Sequence, residues 1–320
     1  MMAARPDVAA LRDFGNRRES MTRWRFDWST REKLVPFCFL APSFAALAVV
    51  SLYPMAHALF ISFHADGVGS VGRFVGLEQY ERVLSSDYFP RVMRISVLWT
   101  VGNVMFVLAA GLATALMLDR NFPGRALARA MFILPWAMPY VAAGLIWGWM
   151  FDYEFGVLNY VIRSAGLGES KVGFLLACPD ALISLTSVSV WKLFPLGTVM
   201  FLAGLQTIPS DHYEAARVDG AGPVLCLWYI TLPGLRNVTI MLTLLITIWT
   251  FGRAFTIIFL LTEGGPAGCT ETIVIRSYLE AFKFFHLGAA SAIGVIVLLI
   301  SLAFSIAYLA YAYRREVSGG

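Results

Sequence analysis

The stretch YEAARVDGAGPVLCLWYITLPGL, residues 213–235, sits between two long apolar runs, 180–206 and 237–261. It is polar and rich in small residues, unlike anything else of its length near the C-terminal half. Its punctuation predicts two short helices. Pro209 closes the preceding run, because the residue before a proline disfavours helix. Asp211 can cap the first helix, with Glu214 three residues later in a carboxylate variant of the capping box. Gly220 fits a helix end that needs positive φ. Pro223 can open the second helix at its first turn, and Leu225, Trp228, Ile230 and Leu232 give that helix an apolar side. Ala215 and Ala216 keep the first helix thin enough for close approach. Glu214 and Arg217 can form a weak surface pair worth ~0.3 kcal/mol. A chain otherwise embedded in lipid keeps such a segment for contact with something soluble.

The remainder of the chain is that lipid-embedded part. Of 320 residues, 58% are hydrophobic and only 14% charged, and mean hydropathy is +0.68; a soluble domain carries about 25% charged residues. Crossing about 30 Å of hydrocarbon takes about 20 helical residues. Runs of that length occur at about 34–63, 92–119, 127–150, 180–206, 237–261 and 287–313. They predict an all-α, polytopic membrane helix bundle of six transmembrane helices. Residues 1–33 form a basic arm, 34–313 the membrane domain with the 207–236 loop between the fourth and fifth spans, and 314–320 a short tail. No room is left for a separate soluble core.

The cations orient the bundle. With the odd-numbered ends inside, fifteen of the twenty-five Lys and Arg residues fall on inner segments, seven on outer loops, and Arg94, Lys192 and Arg253 within spans. The positive-inside rule then puts both termini and the 207–236 loop on the cytoplasmic side of the membrane. The net charge of +4 reflects this topology, and no nucleic-acid partner is expected. The arm is long and the first apolar run exceeds a signal core of about 7–15 residues, so no cleavable signal peptide is expected. Cys178 and Cys269 fall on the outer side. Nothing in the sequence brings them together, so unpaired thiols are the first reading and a disulfide the alternative. The first outer loop has turn-forming Gly67, Gly69, Gly72 and Gly76 and a short amphipathic helical pattern from Leu77 to Leu84.

Within 213–235, Glu214-Ala215-Ala216, then Gly220, then Ile230-x-Leu232-Pro233 keep a fixed spacing. That spacing resembles the cytoplasmic coupling loop of permease subunits of bacterial ATP-driven (ABC-type) importers. The run at 74–89, LPWAMPYVAAGLIWGWMF at 134–151 and LTEGGP at 261–266 are similar to sugar-importer permeases of the maltose and glycerol-phosphate type. The resemblance extends from about residue 34 to 313. It implies a coupling helix between the fourth and fifth spans, seated in a cleft on a cytoplasmic ATPase. Asp211, Glu214, Ala215, Ala216, Asp219, Gly220, Ile230, Leu232 and Pro233 would make that contact. It also implies two ATP-binding subunits holding ATP and Mg2+, a second permease subunit and an extracytoplasmic solute-binding protein, all within membrane lipid. This chain has no GxxxxGK[ST] segment to cradle ATP itself and carries no cofactor of its own. The bland reading of the loop is a helix lying on the inner leaflet. Such helices favour Lys and Arg on their polar side, whereas this one offers Asp211, Glu214 and Asp219.

For the translocation path, charges inside spans are the first candidates. Lys192 lies near the middle of the fourth span and is expected to face a polar cavity or a carboxylate; Arg253 lies in the fifth, with snorkelling as its alternative. Related permeases usually carry an acidic or amide residue near the place of Arg253, which leaves room for an anionic ligand. Trp99, Asn103, Trp136, Tyr140, Trp147, Trp191 and Gln206 have the aromatic and polar character of sugar sites, with Asn103, Trp147 and Trp191 the path candidates among them, although Trp and Tyr also populate interfacial belts. Pro135 and Pro139 should kink the third span. Gly102, Gly111, Gly144 and Gly204 suit close helix packing. Four scattered histidines, no metal-ligand spacing and no nucleophile elbow argue against an enzyme. A secondary transporter working without an ATPase partner is the competing function; it predicts an internal repeat and ionisable residues in paired spans.

Overall fold

The computed structural model describes residues 30–67, 72–168, 170–253 and 255–318. Most of the basic arm, residues 1–29, and Gly69 lie outside them. Among the described residues the architecture is helical without strands; one isolated bridge joins His64 and Phe74.

The chain divides at His57 into two compact units. In the first, α1 (Thr30–Leu47) starts inside the arm predicted to run to residue 33 and continues through a wide turn, Ala48–Leu52. From Phe39 on its described apolar side chains are bare, Phe39 at 79% exposed and Val50 at 73%. A helix that is apolar all round with nothing buried suits lipid. The helical run Tyr53–Ile61, α2, completes a candidate span from Phe39 to Ile61.

The second unit contains the bundle. After the short helix α3 (Glu78–Leu84) come α4 (Tyr88–Asp119), α5 (Arg125–Ala137), α6 (Tyr140–Met150), α7 (Val157–Ser164) and α8 (Asp180–Leu205). Next are α9 (Ser210–Val218), α10 (Pro223–Cys226), a wide turn Leu227–Thr231 and α11 (Leu232–Gly234). The chain finishes with α12 (Arg236–Gly252), α13 (Thr256–Thr262), α14 (Ile273–Tyr278), a wide turn Leu279–Lys283 and α15 (Leu287–Ser318). Four helices are long and apolar enough to cross a membrane unbroken. The count rises to six if two bent pairs are each one span: α5 with α6, bent by 96°, and the Pro223–Gly234 segment with α12, bent by 65°.

Two expectations change here. The third span is a break rather than a kink: Met138 is extended, and Pro139 has no N–H to continue the ladder. The fifth run does not continue to 261; it stops at Gly252 and resumes as α13.

The bundle packs around α4 and α8, the most extensive helix pair. Gly111 and Gly197 make the crossing close: a Cβ on Gly111 would sit 3.0 Å from the Gly197 backbone. In lipid there is no hydrophobic drive to bring apolar helices together, so this close contact and its dispersion energy set the association. Val107 and Ala115 of α4, Phe201 of α8 and Leu242 and Ile246 of α12 form one buried cluster. A second gathers Trp99, Leu185, Ile258 and Ile275.

Beyond α13 and α14 a buried ionic cluster holds the connecting loops. Arg276 bridges Glu271 (3.2 Å) and Glu280 (2.5 Å), with its guanidinium 3.6 Å from the Tyr88 ring centre. His286 Nδ1 lies 2.8 Å from Glu280, and Arg91 approaches Glu271 at 3.4 Å. Burial works against the Arg276 charge, but hydrogen bonds to Glu280 and Glu271 outweigh it and hold its pKa above the ordinary arginine value. Cys178 and Cys269, first read as unpaired thiols, form a disulfide with Cα atoms 6.0 Å apart. The fold brings together two segments separated by 91 residues, which spacing could not show.

Candidate functional site

Two features stand out for function: a cavity between broken helices, and the α9–α11 arm.

The cavity has a volume of about 410 Å3 and is lined by α4, α8 and both helix breaks. At the first break, α5 ends with carbonyls that have no helical partner. The carbonyl of Pro135 would normally accept from the N–H of residue 139, which is proline. Lys192 replaces the missing donors. Its Nζ donates to Pro135 O at 3.0 Å, to Trp136 O at 2.8 Å and to Met138 O. The Tyr140 ring centre is 4.8 Å from the same nitrogen. Lys192 is 2% exposed. Of the two expected surroundings, a polar cavity or a carboxylate, Lys192 lines the cavity, and among the described residues backbone oxygens rather than a carboxylate receive its charge. An ammonium has three N–H groups, and all three are committed.

At the second break Arg253 N still donates to Trp249 O, and the next carbonyl, Thr250 O, accepts from Trp99 Nε1 at 3.1 Å. The chain then turns at Arg253 and α13 begins after Phe255. Arg253 is exposed and lines the cavity, and its guanidinium makes no hydrogen bond or ion pair among the described residues. No acidic residue lines this cavity. Its aromatic wall comes from Trp99, Trp136, Tyr140 and Trp249.

Of the path candidates the cavity gathers Lys192 and Arg253, and with them Trp99, Trp136 and Tyr140. Asn103 lies outside its lining, fully buried, donating to Trp99 O at 2.8 Å. Trp147 and Trp191 pack edge to face, ring centres 5.5 Å apart, away from that lining. Trp99, Trp136 and Tyr140, which have the residue types of a sugar site, do line it, and Trp249 joins them with no signal of its own in the sequence; Gln206 lies outside the lining.

In the arm, α9 runs from Ser210 after Pro209, and no side chain caps its start; Asp211 lies within the first turn rather than at the cap. Its end is a Schellman turn: Ala221 N donates to Ala216 O at 2.8 Å and Gly220 N to Arg217 O at 3.1 Å, with Gly220 at φ +81°. No ion pair joins Glu214 and Arg217. Asp211, Glu214, Ala215, Asp219, Gly220 and Pro233 are exposed, while Ala216, Ile230 and Leu232 are half-buried. The Tyr213 hydroxyl meets the buried Thr231 hydroxyl at 3.1 Å, tying α9 to the second helix. Between them runs a groove of about 550 Å3 whose lining includes His212, Ala215, Ala216, Asp219, Tyr229 and Ile230. Val218 is 88% exposed and Tyr229 76%.

Residues 108–317 match the family described as binding-protein-dependent transport system inner membrane component. The chain belongs to that family. It is 35% identical over 291 residues to the trehalose/maltose transport system permease protein MalF of Thermococcus litoralis, covering 89% of this chain and 96% of that one. It is 32% identical to the sn-glycerol-3-phosphate transport system permease protein UgpA of Agrobacterium fabrum, covering 85% and 92%. A solved bacterial ABC transporter involved in the import of the acidic polysaccharide alginate shares the fold, with a TM-score of 0.77 at 19% identity, over 89% of this chain and 96% of that one. This permease is a membrane-embedded translocation subunit of an ATP-driven importer. It is a transport component rather than an enzyme, and the self-sufficient secondary transporter is set aside.

Proposed function

We propose that this permease carries a sugar or related polyol across a bacterial inner membrane through six spans, counting each bent pair as one, with both termini cytoplasmic. The proposed complex contains two ATPase subunits that bind ATP and Mg2+, a second permease subunit and an extracytoplasmic solute-binding protein. In this reading the basic arm is 1–33, the membrane domain 34–313 and the tail 314–320. Trehalose, maltose and glycerol 3-phosphate, named for the relatives, set the solute class. The aromatic cavity wall supports it, because flat rings stack on the C–H faces of sugars.

The observation that carries coupling is the bare arm. A rigid helix with a Schellman end, acidic on one side, flanks an uncovered groove in a chain otherwise made of apolar spans. In this reading Asp211, Glu214, Ala215, Ala216, Asp219, Gly220, Ile230, Leu232 and Pro233 meet the ATPase. Closure of the ATPases on ATP moves the arms and switches the bundle between two access states, since ATP favours one of them. The test is Glu214→Lys in the assembled complex. It should lower solute-stimulated ATP hydrolysis at least about tenfold while the subunit stays in the membrane fraction. Stimulation at the wild-type level removes the coupling assignment.

A further inference from the structure

The charge around the cavity says more about the cargo than the fold does. Two cations, Lys192 and Arg253, line it without an acidic residue. They are not equivalent. Lys192 has committed every N–H to backbone carbonyls, so it supplies a fixed positive field but no free donor. Arg253 has committed none among the described residues. An unpaired cation within a membrane bundle is costly and keeps its place when something pairs with it. A guanidinium presents a planar fork of donors that matches the oxygens of phosphate, sulfonate or carboxylate two at a time. Arg253 shares its cavity with the buried Lys192, so it faces the interior of the bundle. Beside it Trp136 and Tyr140 are each nearly half exposed and offer ring faces to an apolar sugar or polyol surface.

We propose that the solute is an anionic sugar or polyol ester whose phosphate, sulfonate or carboxylate group is received by Arg253, within the field of Lys192. This rests on the carbohydrate reading above and narrows it: neutral sugars would leave the arginine unpaired. An anionic lipid headgroup is the competing source of the same chemistry.

The test uses the complete importer with its own binding protein and ATPase subunits in proteoliposomes, given matched pairs: glycerol and glycerol 3-phosphate, galactose and galacturonate, glucose and sulfoquinovose, with maltose and trehalose as further neutral sugars. ATP-driven uptake should be at least about tenfold faster for the charged member of one or more pairs. Arg253→Gln should cut that uptake about tenfold or more, chiefly through KM, and Arg253→Lys, which keeps the charge but not the planar fork, should fall between Arg253→Gln and wild type. Preference for a neutral member, or a wild-type KM for the charged solute in Arg253→Gln, overturns the anion assignment and leaves the carbohydrate reading standing. Uptake of none of these solutes, neutral or charged, overturns both. If Arg253→Gln loses co-purifying anionic phospholipid while uptake stays unchanged, the arginine belongs to lipid and the assignment falls.

Discussion

The two helix breaks that line the cavity are built by different means. At the α5–α6 break a proline removes a backbone donor and a buried lysine from another helix supplies three. At the α12–α13 break there is no proline. A neutral indole, Trp99, satisfies one carbonyl, and Arg253 lines the cavity with its guanidinium satisfying none among the described residues. The first break spends its cation on structure; the second keeps its cation for something else. Position within an apolar run does not separate these roles, because both residues look alike in sequence. What separates them is how many of the charged group's hydrogen bonds are already made.

Three substitutions test that contrast by thermal unfolding of the assembled, detergent-solubilised complex. Lys192→Met should have the largest effect. It strips three carbonyls, one of them buried, of their donor and should destabilise the subunit by about 3 kcal/mol, lowering the melting midpoint and the yield of complex. A midpoint matching wild type would mean that the lysine does not hold the break. Trp99→Phe keeps the ring but deletes the donor to Thr250 O, and should cost about 1 kcal/mol; a loss as large as that of Lys192→Met would make the two breaks equally dependent on their caps. Pro139→Ala should have the smallest effect, under about 1 kcal/mol in either direction. It returns an N–H that can reach Pro135 O while Lys192 still serves the neighbouring carbonyls. If it outweighs Lys192→Met, the proline makes the break and the lysine merely fills it.

Much of the helical architecture was legible in the amino-acid order, for identifiable reasons. The apolar runs mark the long helices because spanning hydrocarbon demands length and satisfied backbone. Gly220 and Pro223 mark the ends within the arm, because positive φ and a missing N–H leave few alternatives there. Pro139 announces the first break. The second was not legible in the run at 237–261, although Gly252 and Arg253 stand within it where the helix stops; around that break α12 packs on α4 and α13 on α6. Asp211 misled because capping depends on the φ and ψ of the preceding residue, and Pro209 took the cap position. Asn103, Trp147 and Trp191 have suitable chemistry for a sugar, but which face of a helix turns toward the cavity depends on neighbours far away in the chain.

The order of residues was enough to establish a membrane-spanning helical permease with an exposed polar arm. Hydrophobic length, proline and glycine act locally, through solvation and backbone sterics, and can be read without knowing what lies beside them. Three-dimensional packing alone decided that Cys178 meets Cys269, that Lys192 serves the carbonyls of another helix, and that Arg253 lines the same cavity with its guanidinium unpaired among the described residues. Each of these depends on groups brought within a few ångströms from distant parts of the chain. Hydrogen bonds and charge pairing act only at that range.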